Sequence, residues 1–189
     1  MRIIGVGGTD GSGKDTIGEV LAGHGWLFVS VTDLLRDEAK RRGLPLDRPN
    51  LRKISTEWRR QSGLGVLVDK ALEVFKQQRS PKKPAGLALA SLRNPGEADR
   101  VHELGGQVIW VDADPKIRYQ RIMARQRGTE DQVSFEDFLA EEQVQMKPSG
   151  DESTLSLSAV KAKADVFIAN NSSDLEAFKT QVAQTLGLS

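Results

Sequence analysis

The stretch GVGGTDGSGKDT, Gly5 to Thr16, decides how this chain is read. A short apolar run leads into it, and Ile17, Val20 and Leu21 follow at helical spacing. Within it, Gly8 to Lys14 spells G-x-x-x-x-G-K, a glycine-rich phosphate-binding loop set between a strand and a helix. The residue types follow from the chemistry. Glycine lets the chain turn through positive φ and approach a phosphate closely. Successive N–H groups then point inward, and the following helix adds its positive end. Lys14 supplies a point charge for the outer phosphates. Gly8, Asp10, Gly11, Ser12, Gly13, Lys14, Asp15 and Thr16 are therefore the candidate nucleoside triphosphate site, with ATP as its ligand. The place after the lysine usually carries a hydroxyl for Mg2+. Here Asp15 stands there and Thr16 comes one residue later. Asp15 either favours the helix start through the dipole or, with Thr16, meets the metal.

Outward from this loop, short apolar runs alternate with helical patterns. RIIGVGG, WLFVSVT, GLALAS, QVIWVDA and DVFIAN read as five strands, each bounded by Gly, Asp, Pro or Asn. Near-continuous apolar runs suit parallel strands covered on both faces. Tyr119, Ile122 and Met123 mark one intervening helix; Leu175, Phe178, Val182 and Leu186 mark the last, with Ser173 and Glu176 as a capping box. RSPKKPAG reads as a solvated loop leading to the third strand. The expected fold is α/β: three layers, a five-stranded mostly parallel sheet, helices on both faces and a short helical lid. At 189 residues the chain fits a single domain, 1–189.

Composition narrows the partners. A net charge of +1 gives no basic field for a nucleic acid polymer. No run of 18 apolar residues exists and MRIIGVGG lacks a signal-peptide core, so a cytoplasmic chain without membrane contact is expected. Cysteine is absent, which excludes disulfides and thiolate metal sites. His24 and His102 stand apart from any ligand-like cluster.

Several motifs carry a family resemblance. GSGKDT resembles the loop of nucleoside and deoxynucleoside monophosphate kinases, where the lysine is followed by Gly or Asp and then Thr. VTDLLRDEA is similar to the T-G-D-L/M-L-R segment of adenylate kinases, and SLRNPGEADRVHELGGQVIWV to the D-V-R-F-P-N-E-A and L-G-G segments of deoxynucleoside monophosphate kinases. The chain as a whole resembles an archaeal family described as dephospho-CoA-kinase-like. The resemblance implies an ATP- and Mg2+-dependent transfer of the γ-phosphoryl group to a nucleoside or deoxynucleoside monophosphate. Another phosphorylated or hydroxyl-bearing metabolite, such as dephospho-CoA, is the alternative acceptor. It also implies a monomer or homodimer, an acceptor-binding helical region at about residues 33–80 and a lid at about 116–148.

Residue by residue, the resemblance assigns Arg36 and Arg93 to the acceptor phosphate. Arginines at the carboxyl ends of strands suit that task on physical grounds too, because ligands bind there in open parallel sheets. Arg121 to Arg125, R-I-M-A-R, is similar to the opening of the adenylate kinase lid, which makes Arg121 and Arg125 catalytic candidates beside Lys14 and Asp33. Asp33, expected at the end of the second strand, is also the leading metal and acceptor ligand, with Asp15 and Thr16 beside it. The backbone of Asn170, Asn171 and Ser172 is expected against the adenine ring. One departure stands out. The third strand of related kinases ends in an aspartate that organises Mg2+, whereas Ala90 and Ser91 occupy those places here. Either another carboxylate substitutes, or the chain is a nucleotide-binding module without catalysis.

Overall fold

The computed structural model describes residues 1–78, 83–125, 133–147 and 150–188, except for the Arg125 side chain. Its strands are β1 (Ile3–Gly8), β2 (Leu27–Ser30), β3 (Leu87–Leu92), β4 (Gln107–Asp112) and β5 (Val166–Ala169). Nine helices intervene among the described residues: α1 (Lys14–Gly23), α2 (Val31–Arg41), α3 (Arg48–Ser62), α4 (Val66–Gln77), α5 (Pro95–Glu103), α6 (Pro115–Arg125), α7 (Phe135–Met146), α8 (Leu157–Ala162) and α9 (Leu175–Thr185). The strands lie in the order β2-β3-β1-β4-β5, and every pairing is parallel.

The alternation of side chains explains the three layers. Ile3, Leu87, Leu89, Val108 and Trp110 enter one core with α4, α5 and α8. Their strand neighbours Ile4, Val6, Ala88, Ile109 and Val111 enter another, with Ile17 and Leu21 of α1 and Phe178 and Val182 of α9. Successive strand residues point to opposite faces, so the apolar runs of β1 and β3 are covered on both, whereas β5, at the sheet edge, is apolar throughout but leaves Phe167 exposed. A third, smaller cluster joins Val31, Leu35, Ile54 and Leu67 and holds α2, α3 and α4 together beside the sheet.

Two expectations are corrected. The second strand was expected through Thr32, but it stops at Ser30, and Val31 opens α2. The Ser30 side chain accepts a hydrogen bond from the Asp33 N–H at 3.4 Å, an N-cap that overrides the β preference of Val31 and Thr32. Asp33 therefore sits in the first turn of a helix, not on a strand end. The last helix is capped by Asp174, which accepts from the N–H groups of Glu176 and Ala177, rather than by Ser173. A carboxylate caps as well as a hydroxyl and adds a favourable charge at the dipole's positive end. Residues 79–82, within the loop expected before β3, and 126–132, within the expected lid, lie outside the described residues.

Candidate active site

The glycine loop leaves β1 and turns through positive φ at Gly8, Gly11 and Gly13. All three are also required by space: a Cβ at Gly8 would stand 2.3 Å from the Val111 carbonyl oxygen. A Cβ at Gly11 would stand 2.7 Å from the Arg118 carbonyl oxygen, and one at Gly13 would stand 2.5 Å from Asn170 Nδ2. Gly13 is the N-cap of α1 and caps it without a side chain. The first N–H groups of a helix have no partner within it, and such an end suits an anion.

The loop is held from beneath. Thr9 Oγ1 donates to Asp112 Oδ1 at 2.7 Å, and Ser12 Oγ to the Thr9 carbonyl at 2.8 Å. Asn170 Nδ2 donates to the Ser12 carbonyl at 2.8 Å. Arg118, buried, reaches the carbonyls of Asp10 and Ala113 and grips Glu142 of α7 with both terminal nitrogens. Arg121 donates to Ser172 O at 2.7 Å and to Asn170 Oδ1 at 3.3 Å, and its burial lowers its pKa. Lys14 lies folded along the loop, with Nζ 2.6 Å from the Thr9 carbonyl and 3.0 Å from that of Gly8.

This loop forms one wall of a cleft of about 980 Å³ whose other walls are α2, α3 and the end of β3. Asp10, Gly11, Gly13, Lys14, Asp15 and Thr16 line it from the loop side, and Asp33 and Arg36 from α2. Arg36 Nη1 donates to Asp33 Oδ1 at 2.9 Å. Arg93 does more than the sequence implied. Its Nη2 donates to Asp10 Oδ1 at 2.7 Å and its Nη1 to Gln145 Oε1 of α7 at 2.6 Å, so it ties the glycine loop to the far wall. Burial would raise the Asp10 pKa, but the charges of Arg93, Lys14 and Arg48 outweigh it and hold this carboxyl well below the usual carboxylate range.

The cleft thus brings together Asp10, Gly11, Gly13, Lys14, Asp15, Thr16, Asp33, Arg36, Arg93 and Arg121, while Gly8 and Ser12 do not line it and the Ser12 hydroxyl is buried within the loop. Asn170, Asn171 and Ser172 lie to the side. Asn170 is buried against the loop, Asn171 Oδ1 accepts the Asp114 N–H, and Ser172 Oγ accepts the Asp174 N–H.

Three features were missed by sequence reasoning. Arg48 and Arg52 of α3 line the cleft; their i, i+4 spacing after the Asp47 cap was a visible signal. Gln145 joins them from α7. Ser91 is the third. Ala90 pairs within the sheet and is fully buried, while Ser91 takes φ 73° where the β1–β3 register slips between Val6 and Gly7. A non-glycine residue in this region is strained, and here the strain accompanies a side chain that lines the cleft.

Comparison with known proteins fits this geometry. The AAA domain family matches residues 4–143. A UPF0200 protein of Thermococcus onnurineus is 30% identical, over 89% of this chain and 88% of the relative. The chain belongs to the AAA domain family and to the UPF0200 proteins. A UPF0200 protein of Pyrobaculum aerophilum is 28% identical across 98% of this chain and 97% of its own length. Among solved structures, a shikimate kinase from Bacteroides thetaiotaomicron superposes with a TM-score of 0.58 at 13% identity, covering 100% of this chain and 99% of that one. A shikimate kinase from Acinetobacter baumannii in complex with shikimate gives 0.56 at 16% identity, over 98% and 92%. These likenesses establish a kinase-like fold built on a phosphate-binding loop.

Proposed function

We propose that this protein is a kinase that moves the γ-phosphoryl group of ATP to a nucleoside or deoxynucleoside monophosphate. One observation carries the reading. The glycine loop, with Lys14 and the start of α1, which no side chain caps, opens onto the same cleft as Arg36, Arg48, Arg52 and Arg93. Two sets of anion-binding groups that face one space suit two anionic reactants held in line. Phosphoryl transfer asks for little else: positioning, and positive charge around the moving group.

In this reading Lys14 and Arg121 attend the triphosphate; the Arg125 side chain, the other lid candidate, lies outside the described residues. The Asn170–Ser172 backbone flanks the base, and Arg36 and Arg93 hold the acceptor phosphate. The donor set is compatible with Mg2+. Among the described residues no three His, Cys, Asp or Glu cluster as a metal cage. Asp15, Thr16 and Asp33 nevertheless line the cleft. Mg2+ commonly takes only one or two protein carboxylates, with phosphate oxygens and water completing its shell. When bound, it would neutralise charge on the outer phosphates.

A hydroxyl-bearing phosphorylated acceptor such as dephospho-CoA is the second reading, favoured by the Asp33 carboxylate at the cleft, where it could accept a hydroxyl proton. A panel of nucleoside monophosphates, deoxynucleoside monophosphates and dephospho-CoA, incubated with ATP and Mg2+ and read by ADP release, tests both. ADP release that depends on a monophosphate supports the first. Release with dephospho-CoA, lost in Asp33→Asn, supports the second. Release with none of them refutes both and favours a nucleotide-binding module without catalysis.

A further inference from the structure

Glu141 of α7 places one carboxylate oxygen on Arg48 Nη1 at 2.6 Å and the other on Arg52 Nη2 at 3.0 Å. The two arginines stand one helical turn apart on α3, so their guanidinium groups converge on a single carboxylate. We propose that Arg48 and Arg52 form a fork that joins Arg36 and Arg93 in holding the acceptor phosphate, and that Glu141 fills this fork until that phosphate displaces it. The proposal rests on the kinase reading above and extends its acceptor site.

Three features support exchange rather than a fixed structural tie. Both arginines line the cleft, with Leu46 and Leu51 on the same wall. The side chains of Arg48, Arg52 and Glu141 keep 31%, 43% and 35% of their exposure, so solvent already screens the pair and it contributes little. The Arg48 charge also acts on Asp10 of the glycine loop, which sets it in electrostatic reach of the nucleotide site.

The adjacent residue gives the contrast. Glu142 pairs with Arg118, whose side chain is 2% exposed beneath the loop. One turn of α7 therefore carries Glu142, anchored on a buried arginine, next to a carboxylate that meets the cleft wall. An incoming oxyanion of higher charge can replace Glu141 without disturbing the anchor. A planar guanidinium pair accepts either group, because both present oxygens that match its donors.

The probe is inorganic phosphate, titrated calorimetrically into protein saturated with a non-hydrolysable ATP analogue and Mg2+, so that the glycine loop is filled. Glu141→Gln keeps the shape and removes the competing charge; phosphate should bind about fivefold tighter than to wild type. In the Arg48→Gln/Arg52→Gln background, phosphate should bind more weakly and Glu141→Gln should add nothing, the mark of direct coupling. Unchanged affinity in folded Glu141→Gln overturns the proposal. So does an equal gain in the double-arginine background, which would assign the effect to net charge. Should Glu141→Gln fail to fold, the double-arginine variant decides alone: retained phosphate affinity overturns the proposal and weakened affinity supports it. Should the analogue not bind, the same titrations in a Lys14→Ala background remove the loop instead. The readout needs no turnover, so a failure here is distinct from failure of the kinase reading.

Discussion

Two groups of arginines surround the same cleft and differ in how they are held. Arg59 of α3 pairs with Glu97 at 2.6 Å, with side-chain exposures of 2% and 0%. Arg118 is as deeply buried against Glu142. Arg36, Arg48, Arg52 and Arg93 also have carboxylate partners, but each of those pairs keeps substantial contact with water. The difference lies in what removal of the partner would cost. A buried guanidinium stripped of its carboxylate is left uncompensated in low dielectric, so such a pair cannot open during a reaction cycle. A half-exposed pair exchanges its carboxylate for another anion at little cost. Residue type does not separate scaffold from binding surface here; burial of the guanidinium does, since Glu142 and Asp10 are about equally exposed at 19% and 21%.

The buried pair gives the largest expected effect. Glu97 also accepts the backbone N–H groups of Arg93 and Asn94, so it fixes the turn that presents Arg93. Glu97→Ala should destabilise the fold by about 3–5 kcal/mol. Urea denaturation measures this; a loss below about 1 kcal/mol would mean that Arg59 finds water, and the contrast would collapse.

Next comes Lys14. Lys14→Ala should weaken ATP binding at least tenfold, because one charge-assisted contact contributes about 1.5–3 kcal/mol. Unchanged calorimetric affinity would refute the loop assignment. The exposed arginines should then divide among themselves. Among the described residues Arg36 pairs locally, with Asp33 three residues away, so Arg36→Ala should raise the acceptor KM and spare ATP affinity. Arg93 holds Asp10 of the glycine loop, so Arg93→Ala should weaken both ligands. Equal behaviour of the two variants would show that the Arg93–Asp10 contact is energetically idle.

The fold was legible where burial dictates pattern. The central strands β1, β3 and β4 and the G-x-x-x-x-G-K loop announce themselves because a strand covered on both faces must be apolar throughout, and because a phosphate cradle needs bare backbone. The β2 boundary was not legible: Val31 and Thr32 favour strand locally, and the Ser30 cap decides otherwise. Nor was the turned-out Ser91, since its φ depends on a register slip against β1. The cleft's second wall was hidden for a simpler reason. Glu141 meets Arg48 and Arg52 across 93 and 89 residues of chain, and no local window relates them.

The smallest expected effect lies at the exposed end of the contrast. Arg60 Nη2 donates to Asp151 Oδ2, and Ser153 donates to the other oxygen through both its hydroxyl and its N–H. The Ser153 hydroxyl, then Arg60 and the Ser153 N–H, draw the Asp151 carboxyl down from 3.8 to about 2. A carboxyl depressed in the folded state stabilises above its unfolded pKa and loses that contribution as pH falls through the folded value. The window is therefore pH 3.8 to about 2. Urea midpoints of wild type and Asp151→Asn should differ slightly and constantly above this window, then converge within it as the wild-type carboxylate takes up its proton. The buried Arg59–Glu97 pair is intact in both proteins and cancels from the difference. A gap that persists below pH 2 would mean that Asp151 acts through the shape of its turn at Ser153 rather than through its charge.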